Sequence, residues 1–231
     1  MKPYSCVLFD LDHTLWDYET NAEETLKELF ARYDMERRGV TSFRFFLETF
    51  RRINVELWDR YDRGLIGQDV IRNERFARVF RDTGVEDTRT ALEFSTEYLR
   101  ELPRKKHLLP HAREVLEYLH PRYPMTIVTN GFDEIQATKI ESAGISHYFR
   151  HVVTSQRAGS KKPSRKIFEF ALEQTGHAPE SAVMIGDNLQ TDIAGAKGAG
   201  IDTIFYNPAR LLHESAVTHE IAALLELKSL L

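Results

Sequence analysis

An apolar run, Tyr4-Ser5-Cys6-Val7-Leu8-Phe9, stops at Asp10 and predicts a buried strand. Beyond Leu15 the period changes. From about residue 20 to residue 102 Gly and Pro are sparse, and apolar residues recur at helical spacing. Ala22, Leu26, Leu29, Phe30 and Tyr33 form one such series; Phe43, Phe46, Phe50, Ile53, Leu57 and Tyr61 form another. Two more helices are expected around 70–80 and 91–102. Thr20 followed by Glu23 reads as a capping box for the first helix. From Leu108 onward helices and strands alternate. Helices are expected over 111–120, 133–143, 164–175 and 190–199, the second closing at Gly144 and the third at Gly176. Strands are expected at 125–129, 152–153, 182–185 and 203–206. The chain shows no internal repeat and no low-complexity segment.

Strands alternating with helices predict an α/β fold: a Rossmann-like parallel sheet covered on both faces. The first strand is separated from the others by an all-helical insert. The expected domains are therefore a catalytic core, residues 1–17 plus 104–231, and a helical cap, residues 18–103. In open α/β sheets ligands bind at the carboxyl ends of the strands. The insert leaves from that edge, so it is expected to cover a site there.

Composition narrows the classes. The 231 residues are 42% hydrophobic and 29% charged, an ordinary globular balance. The net charge of −4, from 31 basic and 35 acidic residues, gives no general basic footprint, so no nucleic-acid polymer is expected as partner. One cysteine, Cys6, excludes an intramolecular disulfide and a Cys-rich zinc site. No apolar run is long enough to span a bilayer. Met1-Lys2-Pro3-Tyr4 leads into too short an apolar stretch for a signal peptide. A cytoplasmic location, without membrane association, is the expectation, as a monomer or dimer.

The polar residues gather where the strands end. The first strand runs into Asp10-Leu11-Asp12-His13-Thr14, and the 125–129 strand into Thr129-Asn130-Gly131. Lys162-Pro163 precedes the 164–175 helix. The 182–185 strand runs into Gly186-Asp187-Asn188, with Asp192 five residues beyond Asp187. Clustered carboxylates stay ionised only with a cation among them, and a hard divalent ion such as Mg²⁺ suits oxygen ligands. Lys162 and the amides after Thr129 would meet an anion. Asp10 and Asp12 share one side of an extended chain, so one can attack phosphorus while the other handles protons.

In this order these four segments resemble the motifs of the haloacid dehalogenase-like hydrolases, over the whole chain. Within that superfamily, Asp10 to Asp17 and Thr129-Asn130-Gly131-Phe132 are similar to the pyrimidine 5′-nucleotidases. The resemblance implies a Mg²⁺-dependent phosphatase for small phosphomonoesters. Asp10 would be the nucleophile and Asp12 the acid and base. Thr129, Asn130 and Lys162 would hold the phosphoryl group. Asp10, Asp187 and the Asp12 backbone carbonyl would bind the metal, and Asp192 would orient Lys162 or a metal-bound water. The dehalogenases of the superfamily lack the second aspartate, so Asp12 disfavours dehalogenation. A phosphatase for a sugar phosphate or phosphoglycolate, a phosphomutase, and a non-catalytic protein that keeps the fold remain as alternatives.

Trp16 and Asp17, directly after the first motif, are the candidates for substrate contact. His147 with His151, and His107 with His111, read as structural. Gly195 to Gly200 has the wrong order for a dinucleotide loop and reads as close helix packing. The aromatics Phe43, Phe45, Phe46, Phe50, Trp58 and Tyr61 read mostly as helix-bundle core, with one or two available to stack on a base.

Overall fold

The computed structural model describes residues 3–231. Met1 and Lys2, where the reading against a signal peptide begins, lie outside the described residues. The sheet has six strands, all parallel: β1 (Cys6–Phe9), β2 (Met125–Thr129), β3 (Phe149–Thr154), β4 (Ala182–Gly186), β5 (Asp202–Tyr206) and β6 (His219–Ile221). Their order is β3-β2-β1-β4-β5-β6. β1, β2 and β4 are buried along their whole length, which is why β1 and β4 read as apolar runs, while β2 carries the buried threonines Thr126 and Thr129. The chain builds outward from β1 to β3 on one side, then crosses to β4 and builds to β6 on the other. β1 and β4 thus flank the topological switch point, where open α/β sheets leave a crevice. Phe9 pairs with Ile127 and Ile185, so Asp10 and Asp187 emerge on adjacent strands at nearly the same height.

The chain divides into two compact units, 1–18 with 106–231, and 19–105. The second unit is helical: α1 (Tyr18–Arg32), α2 (Phe43–Asp62), α3 (Gln68–Asp82) and α4 (Thr88–Glu101). Ser42 caps α2 by accepting from the Phe45 N–H, and Asp87 caps α4 by accepting from that of Thr90. Its core is aromatic. Phe50 stacks on Phe76 at 5.6 Å, and Phe94 meets Phe46, Phe76 and Phe80. Of the aromatics read as core, Phe46 and Phe50 are fully buried, whereas Phe45 lies exposed on α2. Because α1 starts at Tyr18, directly after Asp17, Thr20 falls inside the first turn, and the expected Thr20–Glu23 capping box is not formed.

In the sheet unit α5 (Ala112–Leu119), α6 (Asp133–Ser142), α7 (Arg165–Thr175) and α8 (Ala194–Gly198) connect the strands. Besides β3, longer than the strand expected at 152–153, and a four-residue helix at Leu227–Leu230, two elements differ from the sequence expectation. β6 was not foreseen: it has three residues, two of them not buried, so neither length nor alternation marks it. Its place is set by pairing with β5. The helix expected over 190–199 is split into a π-helical turn, Leu189–Ile193, and the short α8. Asn188 accepts from the N–H groups of Gln190 and Thr191, and the wide turn carries the Asp192 side chain inward.

Small residues let α8 approach closely, as the Gly195–Gly200 pattern implied. The neighbour is α7 and the chain before it more than the sheet: a Cβ on Gly195 would lie 2.6 Å from the Phe168 ring and 2.9 Å from the Pro163 Cα. Cys6 is free and buried in the same core as Phe168 and Ala196. Gly195→Ala is therefore expected to lower unfolding stability by about 1–3 kcal/mol, the range for overpacking, despite the better helix propensity of Ala. Urea denaturation checks this, and an unchanged or raised midpoint would contradict the packing account.

Candidate active site

Asp10 is the first residue beyond β1. Its N–H donates to Ile185 O at 2.9 Å, which keeps the chain in register with β4 for one more step. The next residues turn sharply. Leu11 O accepts from the N–H groups of Leu15 and Trp16, and His13 adopts φ 63°. The turn buries Thr14 and places its hydroxyl 3.2 Å from Asp187 Oδ1, to which it donates. His13 is exposed, its ring 5.0 Å from that of Tyr18.

Lys162 reaches the site from the loop before α7. Its Nζ donates to Asp10 Oδ1 at 2.5 Å and to Asp192 Oδ1 at 2.6 Å. Asp192 Oδ2 accepts from the Asn188 N–H, so both its oxygens are engaged. Of the two roles read for Asp192, the geometry carries the orientation of Lys162. The side chain of Asn130, expected with its segment on the phosphoryl group, is buried against the Lys162 backbone: Oδ1 accepts from Lys162 N at 2.7 Å, and Nδ2 donates to Lys162 O at 3.0 Å. It fixes the segment that delivers Lys162, ahead of the cis Lys162–Pro163 bond.

Asp12 points to different partners. Lys139 Nζ donates to its Oδ1 at 2.6 Å, and Gln136 Nε2 donates to its Oδ2 at 2.9 Å. Gln136 Nε2 also donates to Thr129 Oγ1 at 2.8 Å. Trp16, a candidate for substrate contact, is fully buried, with Lys139 Nζ 4.4 Å from its ring centre. A covered indole under an ammonium has no face left for substrate, so the structure moves Trp16 from substrate contact to support of Lys139. Asp17 is half-buried beside the site and contributes, after burial and Asp187, to raising the Tyr206 phenol above its ordinary value.

A family model of haloacid dehalogenase-like hydrolases matches residues 4–200. The chain belongs to the haloacid dehalogenase-like hydrolases. It is 32% identical over 210 residues to the pyrimidine 5′-nucleotidase PynA of Streptococcus pneumoniae, covering 90% of this chain and 86% of that one. It is 28% identical to the pyrimidine 5′-nucleotidase YjjG of Escherichia coli, covering 97% and 96%. Among solved structures, the putative hydrolase YfnB of Bacillus subtilis bound to magnesium superposes with a TM-score of 0.89 at 27% identity, over 99% of both chains.

In this hydrolase the charges do not balance locally. Asp10, Asp187 and Asp192 place carboxylate oxygens within 4.8 Å of one another, with one ammonium, Lys162, among them. Burial, with only partial relief from Lys162, pushes Asp10 up to about 7. Burial and then the Asp10 charge push Asp187 up to about 6. Burial opposes the charge on Lys162 as well, but Asp10 and Asp192 outweigh it and hold the ammonium above its ordinary value. Lys162 therefore keeps its proton and the carboxylates carry the excess. When all three carboxylates are ionised, they and the one ammonium leave two negative charges, with hard oxygen donors, which suits a divalent cation. Asp12 behaves differently. Burial opposes its charge, but Lys139 and Gln136 outweigh that and hold it below the usual carboxylate range.

Gln136 and Lys139 escaped the sequence reading. The signal was present: both lie on the inward stripe of α6 with Ile140, directly after the Thr129 segment, where apolar residues would otherwise stand. Thr14 stands within the first motif, and only the turn after β1 aims its hydroxyl at Asp187.

Carboxylates raised in the folded state bind more protons there than in the unfolded chain, so they lower stability as pH rises past their ordinary value. In metal-free buffer the melting temperature of the hydrolase is expected to be lower at pH 7.5 than at pH 5, and Asp187→Asn to weaken that fall. Calorimetry across this range checks it; a melting temperature that climbs steadily to pH 7.5 would contradict the account.

Proposed function

We propose that the hydrolase is a Mg²⁺-dependent phosphomonoesterase working through an aspartyl-phosphate, with pyrimidine nucleoside 5′-monophosphates as its substrate class. The observation that carries the reading is the division of labour at the end of β1. Asp10 sits with Lys162 among the uncompensated carboxylates, whereas Asp12, two residues on, is held apart by α6. The substrate class rests on the likeness to PynA and YjjG.

Asp10 and Asp187 carboxylates and the Asp12 carbonyl are the ligands this reading assigns to Mg²⁺. When bound, the cation neutralises the excess charge and stabilises the charge that gathers on the transferring phosphoryl oxygens. Lys162 and the Thr129 hydroxyl hold that group. An Asp10 oxygen attacks phosphorus. The bond to the leaving oxygen breaks with its electron pair, and that oxygen takes, through Asp12, the proton that a monoanionic monoester brings to the site, since Asp12 is ionised at rest. In the second half water attacks phosphorus and gives a proton to Asp12. The bond to Asp10 breaks and phosphate leaves. Asp12 is thus acid and then base, and it returns to its ionised form by passing water's proton to the departing phosphate or to solvent.

Phosphate release from UMP, dUMP, dTMP, CMP, AMP, GMP, glucose 6-phosphate and phosphoglycolate tests the reading. Pyrimidine monophosphates are expected to lead. A profile led by a sugar phosphate would keep the mechanism and discard the substrate class. Asp10→Asn is expected to lower kcat at least about 10³-fold without loss of fold, as removal of a nucleophile does. EDTA is expected to abolish turnover and Mg²⁺ to restore it, with Mg²⁺ raising the melting temperature more at pH 7.5 than at pH 5. Full activity in EDTA would remove the metal from the mechanism.

A further inference from the structure

Lys139 is a buried ammonium, 3% exposed, and the mechanism so far gives it nothing to do. Its Nζ lies 4.4 Å from the Trp16 ring centre and 5.7 Å from that of Tyr18, and it contacts Asp12 Oδ1 at 2.6 Å. Burying an ammonium is costly unless a partner and a fixed geometry compensate. Here the partner is the one site carboxylate that is not among the Asp10, Asp187 and Asp192 cluster. Gln136 is fully buried and equally specific. Its single Nε2 group donates in two directions, to Asp12 Oδ2 and to Thr129 Oγ1. The amide cannot be turned over: Oε1 would then face a carboxylate oxygen, acceptor against acceptor. The site also keeps room for it, since a Cβ on residue 131 would lie 2.1 Å from Nε2, and that residue is Gly131.

The Thr129 hydroxyl feels the same arrangement. Oγ1 accepts from Gln136 Nε2 and from the Gly131 N–H at 3.1 Å. With both lone pairs engaged, the hydroxyl has its own hydrogen left to give, and it becomes a donor for an anion. The two oxygens of Asp12 are likewise made unequal. Oδ1 is held by a charged donor at 2.6 Å. Oδ2 meets a neutral amide that has a second acceptor in Thr129. Oδ2 is therefore the oxygen that can be released to the substrate while Oδ1 stays anchored.

We infer that Gln136 and Lys139 are positioning residues of the proton-transfer step: Lys139 anchors Asp12 through Oδ1, and Gln136 ties Asp12 Oδ2 to the Thr129 hydroxyl that meets the phosphoryl group. The inference rests on the phosphatase reading above. It assigns the proton given to the leaving oxygen, and later taken from water, to Oδ2. It also gives Trp16 a purpose, as the aromatic face that holds the Lys139 ammonium in place.

The role is separated from a merely structural one by the leaving group. An alkyl leaving oxygen needs a proton as the bond to phosphorus breaks, whereas p-nitrophenolate leaves without one. kcat/KM, which reports the steps through that cleavage, is measured for the best alkyl monophosphate of the panel and for p-nitrophenyl phosphate. Lys139→Met is expected to lower it about 10²-fold or more for the alkyl ester, the scale of general acid catalysis, and less than about tenfold for the aryl ester. Lys139→Arg is expected to recover most of the loss. Gln136→Met is expected to show the same ester-dependent loss, smaller in size, and it decides the matter if Lys139→Met does not fold. Equal losses for the two esters, or a change confined to KM, would overturn the inference while leaving the phosphatase reading intact. A wild-type protein that releases phosphate from neither ester would overturn both.

Discussion

The site depends on one imbalance: two buried carboxylates and the half-buried Asp187 cluster around a single ammonium, which pairs with Asp10 and Asp192. In water these groups would be solvated separately. At the ends of β1 and β4 burial removes that option, so each surrounding element serves to hold the charges where a cation can finish neutralising them. Asn130 braces the Lys162 backbone at both ends. Asn188 shapes the π-helical turn that brings Asp192 inward and then donates its own N–H to that carboxylate. Thr14 donates to Asp187 from the turn after β1. Such an arrangement stores unfavourable electrostatics in the fold, as catalytic sites do when charge must be stabilised without reorganisation.

Asp12 lies just two residues from Asp10 yet belongs to a separate electrostatic neighbourhood. α6 supplies it with its own ammonium and its own amide, and the two aspartates are driven apart in proton affinity: burial raises Asp10, while Lys139 and Gln136 overcome burial at Asp12. Two carboxylates of the same type at one strand end can then do different chemistry, one attacking and one carrying protons. The parallel sheet makes this possible, since its crossovers bring helices α6 and α7 to the edge where the strands end.

Much of this was legible in the sequence. β1, β2 and β4 are buried on both faces, and runs dominated by apolar residues meet that requirement. The same requirement forces the polar residues to the strand ends, so Asp10, Thr129 and Asp187 could be placed at one edge by pattern alone. β6 gave no such signal, because three partly exposed residues are held by β5 rather than by their own pattern. The split of the 190–199 helix was also invisible, because the side chain of Asn188 and the pull on Asp192 decide it.

Asn130 and Trp16 show the boundary most directly. Each stands in a motif, and motif membership suggested contact with substrate. The fold turns the Asn130 side chain onto the Lys162 backbone and buries Trp16 under Lys139. Gln136 and Lys139 show the reverse: outside every motif, they hold the Asp12 carboxylate. What the sequence by itself determined was the set of strand-end residues and their order, because burial fixes the period of each strand locally. What only the tertiary structure decided was which side chain meets which, because those partners lie 124 and 127 residues from Asp12 along the chain, and 32 from Asn130. Separations of that length carry no periodicity; packing alone brings the groups within hydrogen-bond distance.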